Sequence, residues 1–165
     1  MRGRRLTIAR PALFAVAALA GVLAVPRAAS GQVLFFGTWT LNLDRSTYSP
    51  GPPPVKRSTF RMEPWGDGVQ VVYDMVRPRG GITHLEWRGA FDGRDYPLTG
   101  VEDIIVTNAY RRTDDRSYEI IQKVNGEIVA TAKATISADG RTLTTVTTTK
   151  NPSGDATSTT IYERQ

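Results

Sequence analysis

Cysteine is absent from all 165 residues, so no disulfide framework, thiolate metal site or Cys–His nucleophile can be built. A lipid-modified N-terminal cysteine is excluded on the same ground. Histidine occurs once, as His84. A lone imidazole makes no metal cluster, and no Gly-x-Ser-x-Gly elbow is present to complete a nucleophilic triad with it. His84 lies on the polar phase of its segment beside Glu86 and Arg88, which reads as a surface or rim position. The chain also lacks a long membrane-spanning run: the apolar stretch from Ala12 to Val25 falls short of the roughly 20 residues a spanning helix needs, and no second one follows.

That short run has flanks of its own. Arg2, Arg4, Arg5 and Arg10 precede it, and Ala28, Ala29, Ser30 and Gly31 follow, which are the three regions of a secretory signal peptide. Residues 1–31 are therefore expected to be a leader cleaved after Gly31, by the general export route, since Leu6 and Thr7 continue a twin-arginine pattern poorly. Residues 32–165 are expected to form one exported domain, periplasmic or extracellular, with no permanent membrane anchor. An excess of positive charge is missing there too. Five of the 21 basic residues lie in the leader and no acidic one does, so 16 basic residues balance 16 acidic ones in the remainder. The basic pI of about 9.8 belongs to the leader, and a nucleic-acid partner is not expected.

Helical periodicity is also lacking after the leader. From Phe35 onward, short β-rich runs are separated by turn signals: Gly66-Asp67-Gly68, Arg79-Gly80-Gly81, Asp92-Gly93, Asp114-Asp115, Asn125-Gly126, Asp139-Gly140 and Pro152-Ser153-Gly154. The runs fall at 35–43, 57–63, 68–77, 82–91, 94–98, 102–111, 117–124, 127–137, 141–149 and 156–164. Several alternate: Trp39 and Leu41 against Thr38 and Thr40, Leu85 and Trp87 against His84 and Glu86, and Ile128, Ala130, Ala132, Ala134 and Ile136 against Val129, Thr131, Lys133 and Thr135. A period of two with one apolar face means a sheet with one buried side. A long hairpin meander hides its edges best by pairing its first and last strands. The expected fold class is all-β: an antiparallel up-and-down meander closed into a β-barrel of about 8–10 strands. The proline-rich connection within 44–56 suits neither helix nor central strand and is expected to be a surface flap. Short loops and the absence of aromatic girdles weigh against an outer-membrane barrel.

The opening Phe36-Gly37-Thr38-Trp39-Thr40-Leu41-Asn42 resembles the Gly-x-Trp signature at the first strand of lipocalins and fatty-acid-binding proteins, the calycin group of ligand-carrying barrels. The closing Ile161-Tyr162-Glu163-Arg164 is similar to the last strand of a fatty-acid-binding protein. Phe91-Asp92-Gly93-Arg94-Asp95-Tyr96-Pro97 also resembles a feature of exported lipocalin-like bacterial proteins of unknown function. The resemblance implies that Trp39 plugs the closed end of the barrel with Arg164 stacked over its ring. It also implies departures. The proline-rich flap stands where the family has a two-helix lid, and Thr160 stands where the family's last strand supplies a carboxylate-binding arginine.

The aromatic and soft residues Phe60, Met62, Tyr73, Met75, Trp87, Tyr110, Tyr118 and Tyr162 are the candidate ligand contacts, with Gln122 as a polar anchor. Small residues at Ala130, Ala132 and Ala134 favour unfilled volume beside them. Glu102-Asp103 and Asp114-Asp115 read as solvated acids at a strand start and a turn, the glycine pairs as hairpin residues, and the Thr-rich runs within 142–149 and 157–160 as strand residues of a wetted face. No catalytic residue, metal site or cofactor is expected. The function expected is non-catalytic binding of a small hydrophobic or amphipathic molecule in a barrel cavity. The alternative is an envelope or extracellular protein-interaction module with a filled core.

Overall fold

The turn signals deliver ten strands in a computed structural model, which describes residues 34–165; the expected leader and its cleavage site lie outside the described residues. The strands are β1 (Gly37–Ser49), β2 (Arg57–Trp65), β3 (Gly68–Val76), β4 (Ile82–Gly89), β5 (Asp92–Thr99), β6 (Val106–Asp114), β7 (Ser117–Val124), β8 (Glu127–Ile136), β9 (Thr142–Thr149) and β10 (Ala156–Arg164). Each pairs antiparallel with the next, and β1 also pairs with β10, so the meander closes into a barrel without a free edge.

Alternation sorts the side chains. Trp39, Leu41, Phe60, Met62, Val71, Trp87, Tyr110 and Tyr118 are buried inside. The outer wall carries ion pairs such as Arg61 with Glu63, Arg111 with Glu119 and Lys123 with Asp95. A charged wall around an apolar interior is the inverse of a lipid-facing barrel. Exposed pairs of this kind contribute about 0–1 kcal/mol each, so the packed interior holds the barrel together.

Three boundaries differ from the sequence expectation. β1 runs on to Ser49 instead of ending near residue 43, because it kinks and resumes: Asn42 pairs with Ile161, but the next partner of β10 is Thr47, opposite Thr159. Side chains take over the missing ladder bonds in this bulge. The Asn42 side-chain oxygen accepts from the Arg45 amide at 3.1 Å, and Ser46 Oγ donates to the Asn42 carbonyl at 2.6 Å while accepting from the Ile161 amide at 3.0 Å. The flap is shortened to 50–56 as a result. Asp92-Gly93 is not a hairpin turn but a bulge inside β5, with Gly93 at φ 80° and a register shift between Asp92 and Asp95. A left-handed glycine serves a bulge as well as a turn. Finally, β6 starts at Val106 rather than near 102, so Glu102-Asp103 sits in the β5–β6 loop, with Asp103 at φ 64°.

A further bulge reverses one side chain. Gln122 pairs with Ala130 but Lys123 with Ile128, which leaves Val129 as the extra residue. Ile128 thereby leaves the inward face on which simple alternation put it and is 38% exposed.

Candidate functional site: a lumen closed at one end

The barrel's two ends are built differently. The end that gathers the start of β1, the end of β10 and the β8–β9 turn is packed shut, and the Gly-x-Trp segment does much of the closing. Trp39 is fully buried and donates from its indole nitrogen to the Phe35 carbonyl at 2.9 Å. Directly opposite it in the β1–β10 ladder stands Arg164, whose guanidinium carbon lies 4.5 Å from the Trp39 ring centroid. The same guanidinium donates to the Gly140 carbonyl at 2.8 Å, to the Phe36 carbonyl at 2.7 Å and to the Leu34 carbonyl. Gly37 holds this arrangement open: its φ is 134°, and a Cβ there would meet Arg164 Nη1 at 3.0 Å.

Phe35 is a plug residue that the sequence reading placed in a strand. It is 1% exposed, lies before β1, and sets its ring edge-on to Tyr118 at 4.9 Å. The Trp39–Phe35 and Arg164–Phe36 bonds tie this segment beneath the barrel. Above it, Met62, Val69, Val71, Trp87, Ile136, Leu143 and Ala134 complete a solid floor. Trp87 stacks on Tyr110 with centroids 4.0 Å apart and donates to the Asn108 carbonyl at 3.1 Å.

Above that floor the lumen is open in two connected lobes. One is a cavity of about 240 Å³ lined by Tyr73, Met75, Tyr110, Gln122 and Tyr162 together with Ser58, Leu85, Leu98, Asn108, Ile120, Ala130 and Ala132. The other, about 270 Å³, shares Ser58, Tyr73, Met75, Ile120, Ala132, Thr147 and Tyr162 and adds Phe60, Tyr118 and the flap residues Pro54 and Val55. The flap therefore stands at the mouth. Seven of the nine candidate contacts border this space. Met62 and Trp87 do not: they point inward but lie too near the closed end, among the floor residues. Ala134, unlike Ala130 and Ala132, is packed rather than facing void. The Thr runs are not purely a wetted outer face either, since Thr145, Thr147 and Thr160 line the second lobe. His84 is on the outer wall, with Nδ1 2.7 Å from Asp74 Oδ1.

The polar groups of the lumen are neutral, and two pairs of them are bonded to each other. Tyr73 and Tyr110 share a hydroxyl–hydroxyl hydrogen bond of 2.7 Å, and Gln122 donates from its side-chain nitrogen to Asn108 Oδ1 at 3.2 Å. Burial pushes the Tyr73 phenol up to about 12 and holds Tyr110 and Tyr118 well above the ordinary phenol range. Burial also raises Tyr162, an effect the neighbouring Ser58 hydroxyl partly offsets. These phenols stay protonated at neutral pH and act as hydrogen-bonding groups, not as bases. Sequence reasoning missed Ser58 and Asn108, the polar residues two positions before Phe60 and Tyr110 on the same inward faces of β2 and β6.

No protein family's sequence profile matches the chain, and neither does any curated protein. Among solved structures, zebrafish ileal bile acid-binding protein complexed with cholic acid is similar over 80% of this chain and 99% of that one, with 12% sequence identity and a TM-score of 0.50. A chain described as EF1p2_mFAP2b bound to DFHBI is similar over 82% and 98%, with 12% identity and a TM-score of 0.43. At these identities what is shared is architecture. The chain folds as a closed, ten-stranded antiparallel barrel, the architecture it has in common with that bile acid-binding protein.

Proposed function

We propose that the chain is an exported, non-catalytic carrier that holds one small apolar or amphipathic molecule in the lumen between the aromatic floor and the proline-rich flap. The observation that carries the reading is the open volume itself, lined by Tyr73, Met75, Tyr110, Ile120 and Tyr162 in a barrel whose other end is packed solid. A protein that used only its outer surface would have no need of a half-empty interior, which forgoes packing. The similar barrel that binds cholic acid supports the use of such a lumen for an amphipathic guest. The leader supports a destination in the periplasm or outside the cell. The neutral lining supports binding without chemistry, since it supplies no general base.

Burying about 200 Å² of apolar ligand surface at about 25 cal/mol per Å² gives about 5 kcal/mol before entropic costs. Micromolar binding then needs further help from hydrogen bonds. The test is detergent-free purification followed by native mass spectrometry and titration with an environment-sensitive apolar dye. The carrier reading expects a saturable dye signal that a lipid extract displaces. A flat titration together with no copurifying mass would refute it and leave the interaction-module reading. One observation favours that second reading: Ile82 at the start of β4 and Ile104 and Ile105 in the β5–β6 loop are 72%, 46% and 69% exposed.

A further inference from the structure

The lumen offers a guest hydrogen bonds but no charge. Among the described residues, neither lobe is lined by Asp, Glu, His, Lys or Arg. What it does offer follows from counting donors and acceptors. Two phenol hydroxyls bonded to each other use one of their two hydrogens, so the Tyr73–Tyr110 pair keeps one to give whichever way the bond points. The Asn108–Gln122 bond uses one donor of Gln122 and the oxygen of Asn108, which leaves the Gln122 oxygen to accept and the Asn108 amide to donate.

A carboxylate drawn into this space would exchange its hydration for isolated neutral donors, with no guanidinium or ammonium to pair it. An ammonium would fare no better. Aromatic faces can hold cations, but of those lining the lumen Tyr110 and Tyr118 are stacked on each other at 5.6 Å, and Phe60 is packed against Tyr73 and Tyr162 at 5.5 and 5.0 Å. We propose that the lumen selects an uncharged ligand, an apolar body bearing hydroxyl, carbonyl or ether oxygen, and discriminates against carboxylates and ammonium ions of the same shape. This rests on the reading of the lumen as a binding site.

Three small probes that differ only at the head group test it: phenylbutanol, phenylbutanoate and phenylbutylamine, each titrated against the protein by calorimetry and by displacement of the apolar dye. At about pH 8, where the acid is ionised, the alcohol should bind at least about tenfold more tightly than either ion. As the pH falls toward about 5, the acid's affinity should rise while the alcohol's stays level, because the neutral acid becomes populated. Thr147 borders both lobes, so Thr147→Arg supplies the missing cation and should reverse the order of acid and alcohol in a variant that still folds. Equal or tighter binding of either ion by the unmodified protein would overturn the proposal. That is also the result if charged heads simply remain at the mouth. If none of the three binds and the dye does not either, the binding-site reading itself falls, and the selectivity proposal with it.

Discussion

Ala132→Leu and Ala134→Leu make the same change two residues apart on one face of β8, and the structure requires opposite outcomes. Ala132 borders both lobes of the lumen, whereas Ala134 is fully buried in the packed floor. Leucine adds three carbons. At about 0.8 kcal/mol per buried methylene, full burial in existing void is worth about 2.4 kcal/mol. Rotamer entropy takes back about 0.5 to 1 kcal/mol, and incomplete contact on the open side takes more. Ala132→Leu should therefore stabilise the barrel by about 1 kcal/mol, or about 4 °C in Tm. At Ala134 the same carbons meet occupied space, and overpacking costs about 1–3 kcal/mol. Urea titration with an unchanged m-value measures both, and the dye titration on Ala132→Leu should show at least about tenfold weaker binding as the lobes fill. Loss of more than about 1 kcal/mol at Ala132 would mean that its surroundings are already filled, and would refute the open lumen.

Arg164→Met removes three hydrogen bonds to carbonyls and the cation over Trp39, and should cost about 2–3 kcal/mol in urea unfolding with a changed Trp emission; a loss below about 0.5 kcal/mol would show that Arg164 does not fasten the closed end. The β4–β5 seam has two paired positions, Glu86 with Thr99 and Trp87 with Leu98, against eight between β7 and β8. Amide hydrogen exchange in the middle of β4 and β5 should accordingly be faster than in β7 and β8, and equal protection would contradict the seam's weakness. Tyr73, Tyr110 and Tyr118 have raised phenol pKa values from burial, Tyr73 to about 12, so folding favours the protonated form. Their stabilising contribution is complete below the unfolded value of 10.0 and is lost as pH climbs from there through the folded values. Tyrosinate absorbance from these three should appear only as the near-UV circular dichroism collapses; titration near 10 in a folded barrel would refute their burial.

Turn chemistry and alternation were enough to find all ten strands, most to within two residues, because each hairpin has its own local signal and each strand its own period. The extended β1, the bulge at Asp92-Gly93 and the reversed Ile128 have a common cause. At Asn42–Thr47, Asp92–Asp95 and Gln122–Lys123 the ladder slips, and a slip depends on what the partner strand does. Asn42 and Ser46 replace ladder bonds with side-chain bonds whose far partners are Ile161 and Glu163, over a hundred residues away in sequence. Asp-Gly is compatible with turn and bulge alike, so Asp92-Gly93 alone could not decide between them.

The site was legible by face but not by depth. Parity along a strand says which way a side chain points, and every aromatic candidate does point inward; it is silent on distance from the closed end. That distance decides between floor and ligand wall, which is why Met62 and Trp87 fall on one side and Phe60, Tyr73 and Tyr110 on the other. Depth is set by stagger, by the bulges that shift it, and by the segment before β1 that brings Phe35 under the barrel. Residues next to one another on the inward face of a single strand can thus have unlike roles: Ala130 and Ala132 border open space while Ala134 is enclosed by the floor. The aromatic stack of Trp87, Tyr110 and Tyr118 lies at the boundary and serves both regions. Rigid below, it presents hydroxyl and ring edge above, so the packing that closes one end also sets the shape and the neutrality of the space left at the other.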